Sequence, residues 1–251
     1  MNISEEPDVE KLQVRFREGY SKSLTLVNRN LLTKGRDLYM STRQKIKVGI
    51  VGTGSISNLH MAGYKNLNNV EVYAACDINK ERVENFAKKY EIPKVFLDYN
   101  EMLKLNELDA ISVCTWNNGH APISIAALKA GKHVLCEKPL SLNTKEALEI
   151  QEAAKESGKL LMVGFVRRFG QNTSILKEFV DKGYLGEIYY SKTGCIRRCG
   201  NPGGWFSDKK RSGGGPLIDL GVHMIDLVRY LMGKPKAVSV YGATFNNIGP
   251  R

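Results

Sequence analysis

Ile46-Lys47-Val48-Gly49-Ile50-Val51-Gly52-Thr53-Gly54-Ser55-Ile56-Ser57 is the stretch on which the fold turns. A short β-branched run ends in Gly52, a helical pattern opens after Gly54, and Gly52, Gly54 and Ser57 stand in the places of G-x-G-x-x-G/A. Gly52 permits a tight turn, Gly54 lets a backbone approach a pyrophosphate, and Ser57 is still small enough for close packing of helix on strand. The first amides of the helix, at Gly54, Ser55 and Ile56, would face that pyrophosphate at the positive end of the helix dipole. Three small residues alone would also suit an ordinary turn.

The next segment sharpens the reading. Residues 70–76 form a second apolar run that ends at Asp77, the place of the acid that hydrogen-bonds the adenosine ribose hydroxyls. A carboxylate there repels a 2'-phosphate, which favours NAD, while Lys80 and Arg82 nearby leave NADP open. Asp77 would serve equally as a cap for the helix from Asn79, and the two roles are compatible.

Further along, runs at 46–51, 70–76, 110–114, 133–136 and 160–163 read as strands, with 3.6-period segments between them. Strands apolar on both faces and alternating with helices imply a doubly wound parallel sheet over residues 45–164, a Rossmann-type α/β domain. After residue 165 the pattern changes. A helix at 173–182, a strand at 187–196, a Gly/Pro/Trp loop at 199–215, a helix at 216–231 and a strand at 237–245 predict a second, partial α+β domain with an open, mainly antiparallel sheet over 165–251. Two strands and two helices cover one another poorly, and the residues from Ile248 to Arg251 hold no closing element. Residues 1–44 lack the strand-helix rhythm and are expected outside the fold. Met40, just before the first strand, is the more natural start, so residues 1–39 read as leader or unrelated extension.

The chain has 251 residues, 42% hydrophobic and 25% charged, which suits an ordinary globular protein of one or two domains. No apolar run is long enough for a membrane span and no signal peptide opens the chain, so a cytoplasmic protein with no membrane partner is expected. The net charge of +11 is spread over amphipathic helices such as residues 80–89, which argues against nucleic acid. Cys76, Cys114 and Cys136 each close an apolar run and read as buried thiols. Cys195 and Cys199 form one lone C-x-x-x-C pair, too little for zinc, and no metal is expected.

Lys138 follows the strand at 133–136, at the carboxyl end where doubly wound sheets bind ligands, although a surface lysine would fit the same position. On the helix at 216–231, Asp219 and His223 are four residues apart and share a face, with Asp226 three further on. Their neighbours are apolar, so this polar stripe requires a polar cavity or paired partners, of which a structural His223–Asp226 bond is one.

Three stretches then resemble one family: Cys114-Thr115-Trp116-Asn117-Asn118-Gly119-His120, the run Gly131-Lys132-His133-Val134-Leu135-Cys136-Glu137-Lys138-Pro139, and Gly213-Gly214-Gly215-Pro216-Leu217-Ile218-Asp219-Leu220-Gly221-Val222-His223. The Glu-Lys-Pro signature and the Asp-x-x-x-His helix, in this order, resemble the Gfo/Idh/MocA oxidoreductases from about Lys45 onward. That family commonly has Pro where this sequence has Trp116, and it continues well past Arg251.

The resemblance implies an NAD(P)-dependent enzyme that moves hydride between nicotinamide and a secondary hydroxyl of a sugar, sugar acid or inositol. It implies a small polyol substrate and a homo-oligomer. It places Thr115, Trp116, Asn117, His120, Glu137 and Lys138 at the cofactor, beside Gly52, Gly54, Ser55, Ile56 and Asp77. Lys138, Asp219 and His223 form the catalytic group, with His223 as acid/base; Arg168 joins them at the substrate, and Trp205 is a weaker contact. The Lys138–Pro139 bond is expected to be cis. Two other readings share these residues: an NAD-retaining glycosidase and an inactive NAD-binding fragment.

Overall fold

Central strand β1 (Ile46–Val51) lies between β2 (Val70–Cys76) and β4 (Ala110–Val113), and both pair with it in parallel. The computed structural model describes residues 45–196 and 202–245; the expectations for residues 1–44, Cys199 and the last residues from Ile248 lie outside them. With β3 (Lys94–Phe96), β5 (His133–Cys136) and β6 (Leu161–Val163), the sheet runs β3-β2-β1-β4-β5-β6, all parallel. That is the order of a doubly wound dinucleotide-binding sheet. All five expected strands match to the residue or differ by one at an end. β3 carried no signal because three half-exposed edge residues show no periodicity.

Helices α1 (Ser55–Tyr64), α2 (Lys80–Tyr90), α3 (Tyr99–Leu103), α4 (Asn117–Lys129) and α5 (Thr144–Ser157) cover the sheet. Strand alternation divides the core in two. Ile111, Val113, Val134 and Cys136 pack with Leu128 of α4 and Ile150 of α5, while Ile50, Ala75 and Leu135 pack with Met61 of α1 and Val83 of α2. Each fully buried Ile or Leu contributes about 1.5–3 kcal/mol. Local signals agree: Asn143 caps α5 by accepting from Glu146 N at 3.0 Å, and Glu146 accepts from Leu142 N at 3.0 Å.

The second part is different. A 3₁₀ turn (Val166–Phe169), α6 (Gln171–Asp181), the short helix α7 (Lys209–Ser212), a π-helical turn (Leu217–Gly221) and α8 (Val222–Leu231) are present. The strands expected at 187–196 and 237–245, and with them the antiparallel sheet, are not formed among the described residues. The reason is physical: a strand is held by its neighbours, and among the described residues these segments pair with no strand. Tyr189 is 93% and Tyr241 96% exposed. The helix expected at 216–231 forms over that range, with its first part wound as the π turn.

Candidate active site

The carboxyl ends of the strands line up as a row. Gly52 N donates to Cys76 O (2.8 Å), Cys114 N to Val51 O (2.7 Å), Glu137 N to Val113 O (3.0 Å) and Gly164 N to Cys136 O (2.7 Å). The residues that follow the strands are thereby brought side by side at one edge.

At the first of these, Gly52 has φ +90°, and a Cβ there would lie 2.6 Å from Cys114 O, so only glycine permits the turn to close on β4. Gly54 is the opposite case: it caps α1 with φ −77°, and a Cβ there would meet nothing within 4 Å. Helix α1 has no side-chain cap and no acid in its first turn, so its amides and dipole are uncompensated, and Ser55 is exposed beside them. An open cradle at an uncapped helix N-terminus fits a diphosphate. Ser57 is fully buried and donates to Gly54 O at 2.6 Å, which satisfies the third, small position.

Asp77 is 7% exposed. Its Oδ2 accepts from Thr53 N (2.9 Å) and Thr53 Oγ1 (3.0 Å), and its Oδ1 from Asn79 N (2.9 Å). Three bonds leave about one of a carboxylate's four acceptor directions for a ribose hydroxyl. Asn79, not Asp77, caps α2, accepting from Arg82 N. The Arg82 guanidinium stands 3.7 Å from Asp77 Oδ2.

Other expected cofactor residues are turned inward. His120, 1% exposed, bridges main-chain oxygens, with Nδ1 2.6 Å from Pro139 O and Nε2 3.2 Å from Thr115 O. Burial holds its pKa below the ordinary imidazole value. Glu137, 7% exposed, meets His60 Nε2 at 3.0 Å and accepts from Lys138 N at 3.2 Å. Asn117 is buried and donates to Ser212 O at 2.8 Å. These three side chains make these hydrogen bonds within the protein, at the carboxyl edge of the sheet where they were expected. Thr115 Oγ1 donates to Trp116 O at 3.1 Å, and the Trp116 ring carries the Arg211 guanidinium at 4.1 Å. Ile56 is half-buried on α1. Trp205 stacks on Phe206 with ring centroids 3.9 Å apart.

The catalytic candidates converge. The Lys138–Pro139 bond is cis. Lys138 Nζ donates to Asp219 O at 2.9 Å and to Asp219 Oδ1 at 3.0 Å, and both side chains are mostly buried. Asp219 lies in the π turn, a widening of the helix often found at functional sites. His223, one turn on, sits edge-on to Phe165, and its Nδ1 is buried with no hydrogen-bond partner among the described residues. Burial lowers its pKa, and the positive charges of Lys138 and Arg167 lower it further, against the carboxylates of Glu137 and Asp219. Both effects favour the neutral imidazole, the form a base requires.

Arg168, the other residue expected at the substrate, is paired with an acid. It grips Asp226 through Nε on Oδ2 (2.8 Å) and Nη2 on Oδ1, and lies over Phe165 and Tyr230. This pairing also takes Asp226 away from His223, so the structural His223–Asp226 bond is absent. Sequence reading missed His60. The available signal was that Ser57, His60 and Tyr64 fall on the inward face of α1.

Cys76, Cys114 and Cys136 are free, buried thiols, as expected; burial pushes Cys76 and Cys136 up to about 12. Among the described residues no group of His, Cys, Asp and Glu could hold a metal ion, and no helix is long and apolar enough to cross a membrane.

Comparisons with known proteins agree with this geometry. Residues 46–165 match a family model described as "Oxidoreductase family, NAD-binding Rossmann fold", and residues 174–249 match "GFO/IDH/MocA C-terminal domain". The chain is 39% identical to the D-glucoside 3-dehydrogenase of Escherichia coli, over 83% of this chain and 60% of that protein. It is 33% identical to the myo-inositol 2-dehydrogenase of Thermotoga maritima, over 75% of this chain and 55% of the relative. Among solved structures, a levoglucosan dehydrogenase in complex with NADH superposes with a TM-score of 0.68 at 25% identity, covering 76% of this chain and 54% of that one. The chain thus spans little more than half the length of these relatives.

Proposed function

The chain belongs to the Gfo/Idh/MocA family of oxidoreductases, and from that premise we propose that it serves an NAD-dependent dehydrogenase acting on a secondary hydroxyl of a sugar, sugar acid or inositol. One observation carries the reading. Lys138, paired with Asp219, and His223, whose Nδ1 has no hydrogen-bond partner among the described residues, meet at the carboxyl edge of the sheet that also carries the open cradle at Gly54.

NAD, when bound, supplies the hydride acceptor. The residues of this chain do the rest. Lys138 orients the hydroxyl and favours its deprotonated form by its charge. Asp219 fixes Lys138 and offers carboxylate oxygens to the substrate. The proton passes to the imidazole of His223, whose depressed pKa keeps it available as a base. Asp77 disfavours a 2'-phosphate, which supports NAD, although Arg82 beside it keeps NADP in view. The named relatives act on a D-glucoside and on myo-inositol, both rings rich in secondary hydroxyls, and this supports a small polyol as substrate. Within this reading the enzyme works in the cytoplasm as a homo-oligomer.

The test is a panel of cyclic polyols, aldoses, sugar acids and glycosides with NAD and with NADP, followed by nicotinamide absorbance. NADH formation with at least one free polyol or sugar is expected. Cleavage of a nitrophenyl glycoside without net NADH would move the protein to the glycosidase reading. NADH binding without either reaction would leave it a dinucleotide-binding chain only.

A further inference from the structure

A bare glycine keeps the cradle at residue 54 open, and glycine has more backbone freedom to lose than any other residue. A Cβ at Gly54 would meet nothing within 4 Å, so no side chain packs against it from the front. The peptide is pinned from behind instead. Gly54 O accepts from Ser57 Oγ at 2.6 Å and from Asn58 Nδ2 at 3.2 Å, and Ser55 O accepts from the same Asn58 nitrogen at 3.4 Å. A trans peptide is planar, with its C=O and N–H on opposite sides. Fixing Gly54 O toward the body of α1 therefore aims Ser55 N–H the other way, into the space before the helix.

Asn58 is held in turn from the end of α2. Its Oδ1 accepts from Lys89 Nζ at 2.9 Å and from the Tyr90 hydroxyl at 2.6 Å. A lysine can only donate and a main-chain oxygen can only accept, so these partners decide which end of the amide faces which side. Both N–H donors and both lone pairs of the Asn58 amide are then engaged inside the protein, and none is left for a ligand. Tyr90 is itself seated edge-on against Phe86, with ring centroids 4.8 Å apart, and Phe86 belongs to the core beneath α2. The line runs from that core through Tyr90 and Asn58 to the one peptide the cradle leaves bare.

We propose that Asn58, held by Tyr90, is a positioning residue for the dinucleotide: it pre-sets the Gly54–Ser55 peptide, so that Ser55 N–H meets the diphosphate without first having to be ordered. The proposal rests on the reading of the Gly54 cradle as the diphosphate site; it does not depend on which hydroxyl compound is the substrate.

The experiment is a fluorescence titration of NADH on the whole chain as wild type, Asn58→Ala, Tyr90→Phe, the double variant and Gly54→Val, run well below the lowest of their melting temperatures. Alanine is a good helix former and phenylalanine keeps the Tyr90 ring, so both single changes suit the fold. Asn58→Ala should weaken NADH binding on the order of three- to tenfold, the range set by losing one neutral hydrogen bond, and Tyr90→Phe should weaken it less. Because Tyr90 acts through Asn58, the double variant should bind like Asn58→Ala alone, whereas two independent structural losses would multiply. Tyr90 serves here in place of Lys89, whose charge would also act on a diphosphate through space. Unchanged NADH affinity in Asn58→Ala, or losses that multiply in the double variant, overturns the proposal. Gly54→Val separates the two claims. If it abolishes binding while Asn58→Ala has no effect, the positioning role alone falls; if it too leaves the affinity unchanged, the cradle reading falls and the positioning role with it.

Discussion

In residues 46–163 every strand finds its neighbours within the same stretch of chain, and side chains such as Ile50, Ile111 and Val134 are wholly buried. In residues 165–245 the helices form, yet Ser212 is the one buried residue among those described, and the segments with strand-like alternation form no strand and are mostly exposed. Helices satisfy their backbone groups internally and can form wherever the local signal is good, whereas strands depend on partners. The dinucleotide half thus pairs all its strands with one another. The second half contributes to the site through what it docks onto that half: Asp219 on Lys138, Ser212 on Asn117 and Arg211 on Trp116.

This division predicts where variants act. The largest effect is expected at the contact between the halves. In the active enzyme, His223→Ala should lower turnover on the order of 10²- to 10⁴-fold with NADH affinity near normal, because His223 belongs to the substrate side. Lys138→Ala should weaken both, since Lys138 stands on the cofactor side and reaches across to Asp219. Steady-state kinetics with NADH titration separate the two, and equal loss of NADH binding in both variants would break the division. Next, Gly52→Ala places a Cβ 2.6 Å from Cys114 O at φ +90°. It should destabilise the first half by roughly 3 kcal/mol. Chemical denaturation that shows no loss would contradict the self-contained turn.

Much of this was legible in the sequence, for reasons that follow the same division. The strands from 46 to 163 carry both-face apolarity, and the Gly52 turn, the Asp77 position and the Asp219–His223 spacing are local features. What was not legible depended on distant partners. Nothing local tells that Arg168 closes on Asp226, 58 residues away. The same holds for Glu137, which is claimed by His60 from 77 residues upstream, and for His120, which spans from Thr115 to Pro139. The motif located these residues at the site's edge, but which side chains face inward is decided by packing. The strands at 187–196 and 237–245 show the converse: alternation is a local signal, and it is not sufficient without a neighbour.

Smaller effects refine the comparison. Asp226→Asn loosens the grip of Arg168 and should lower the stability of the α8 region by about 1–2 kcal/mol. Amide exchange should quicken in α8 and not in β1 or β4; a uniform change would mean that the two halves unfold together. Acid should also weaken the fold. The pKa values of His120, His133 and His223 are all lowered, mainly by burial, so the unfolded chain binds protons that the native chain refuses. Stability contributed by these groups is present above the ordinary imidazole value of about 6.5 and declines as pH falls below it. Thermal melts across that range should show the midpoint falling with pH, and a flat profile would count against the burial of these rings.

The central claim, that the first half is a dinucleotide site built on the N-terminus of α1, is tested most directly at Gly54. Its φ is open to any residue and a Cβ there meets no protein atom, so Gly54→Val fills the cradle without disturbing the fold. The measurement is a fluorescence titration of NADH on wild type and Gly54→Val, with melting temperatures alongside. Loss of NADH binding at an unchanged melting temperature is the expected result; unchanged NADH affinity in Gly54→Val would contradict the account.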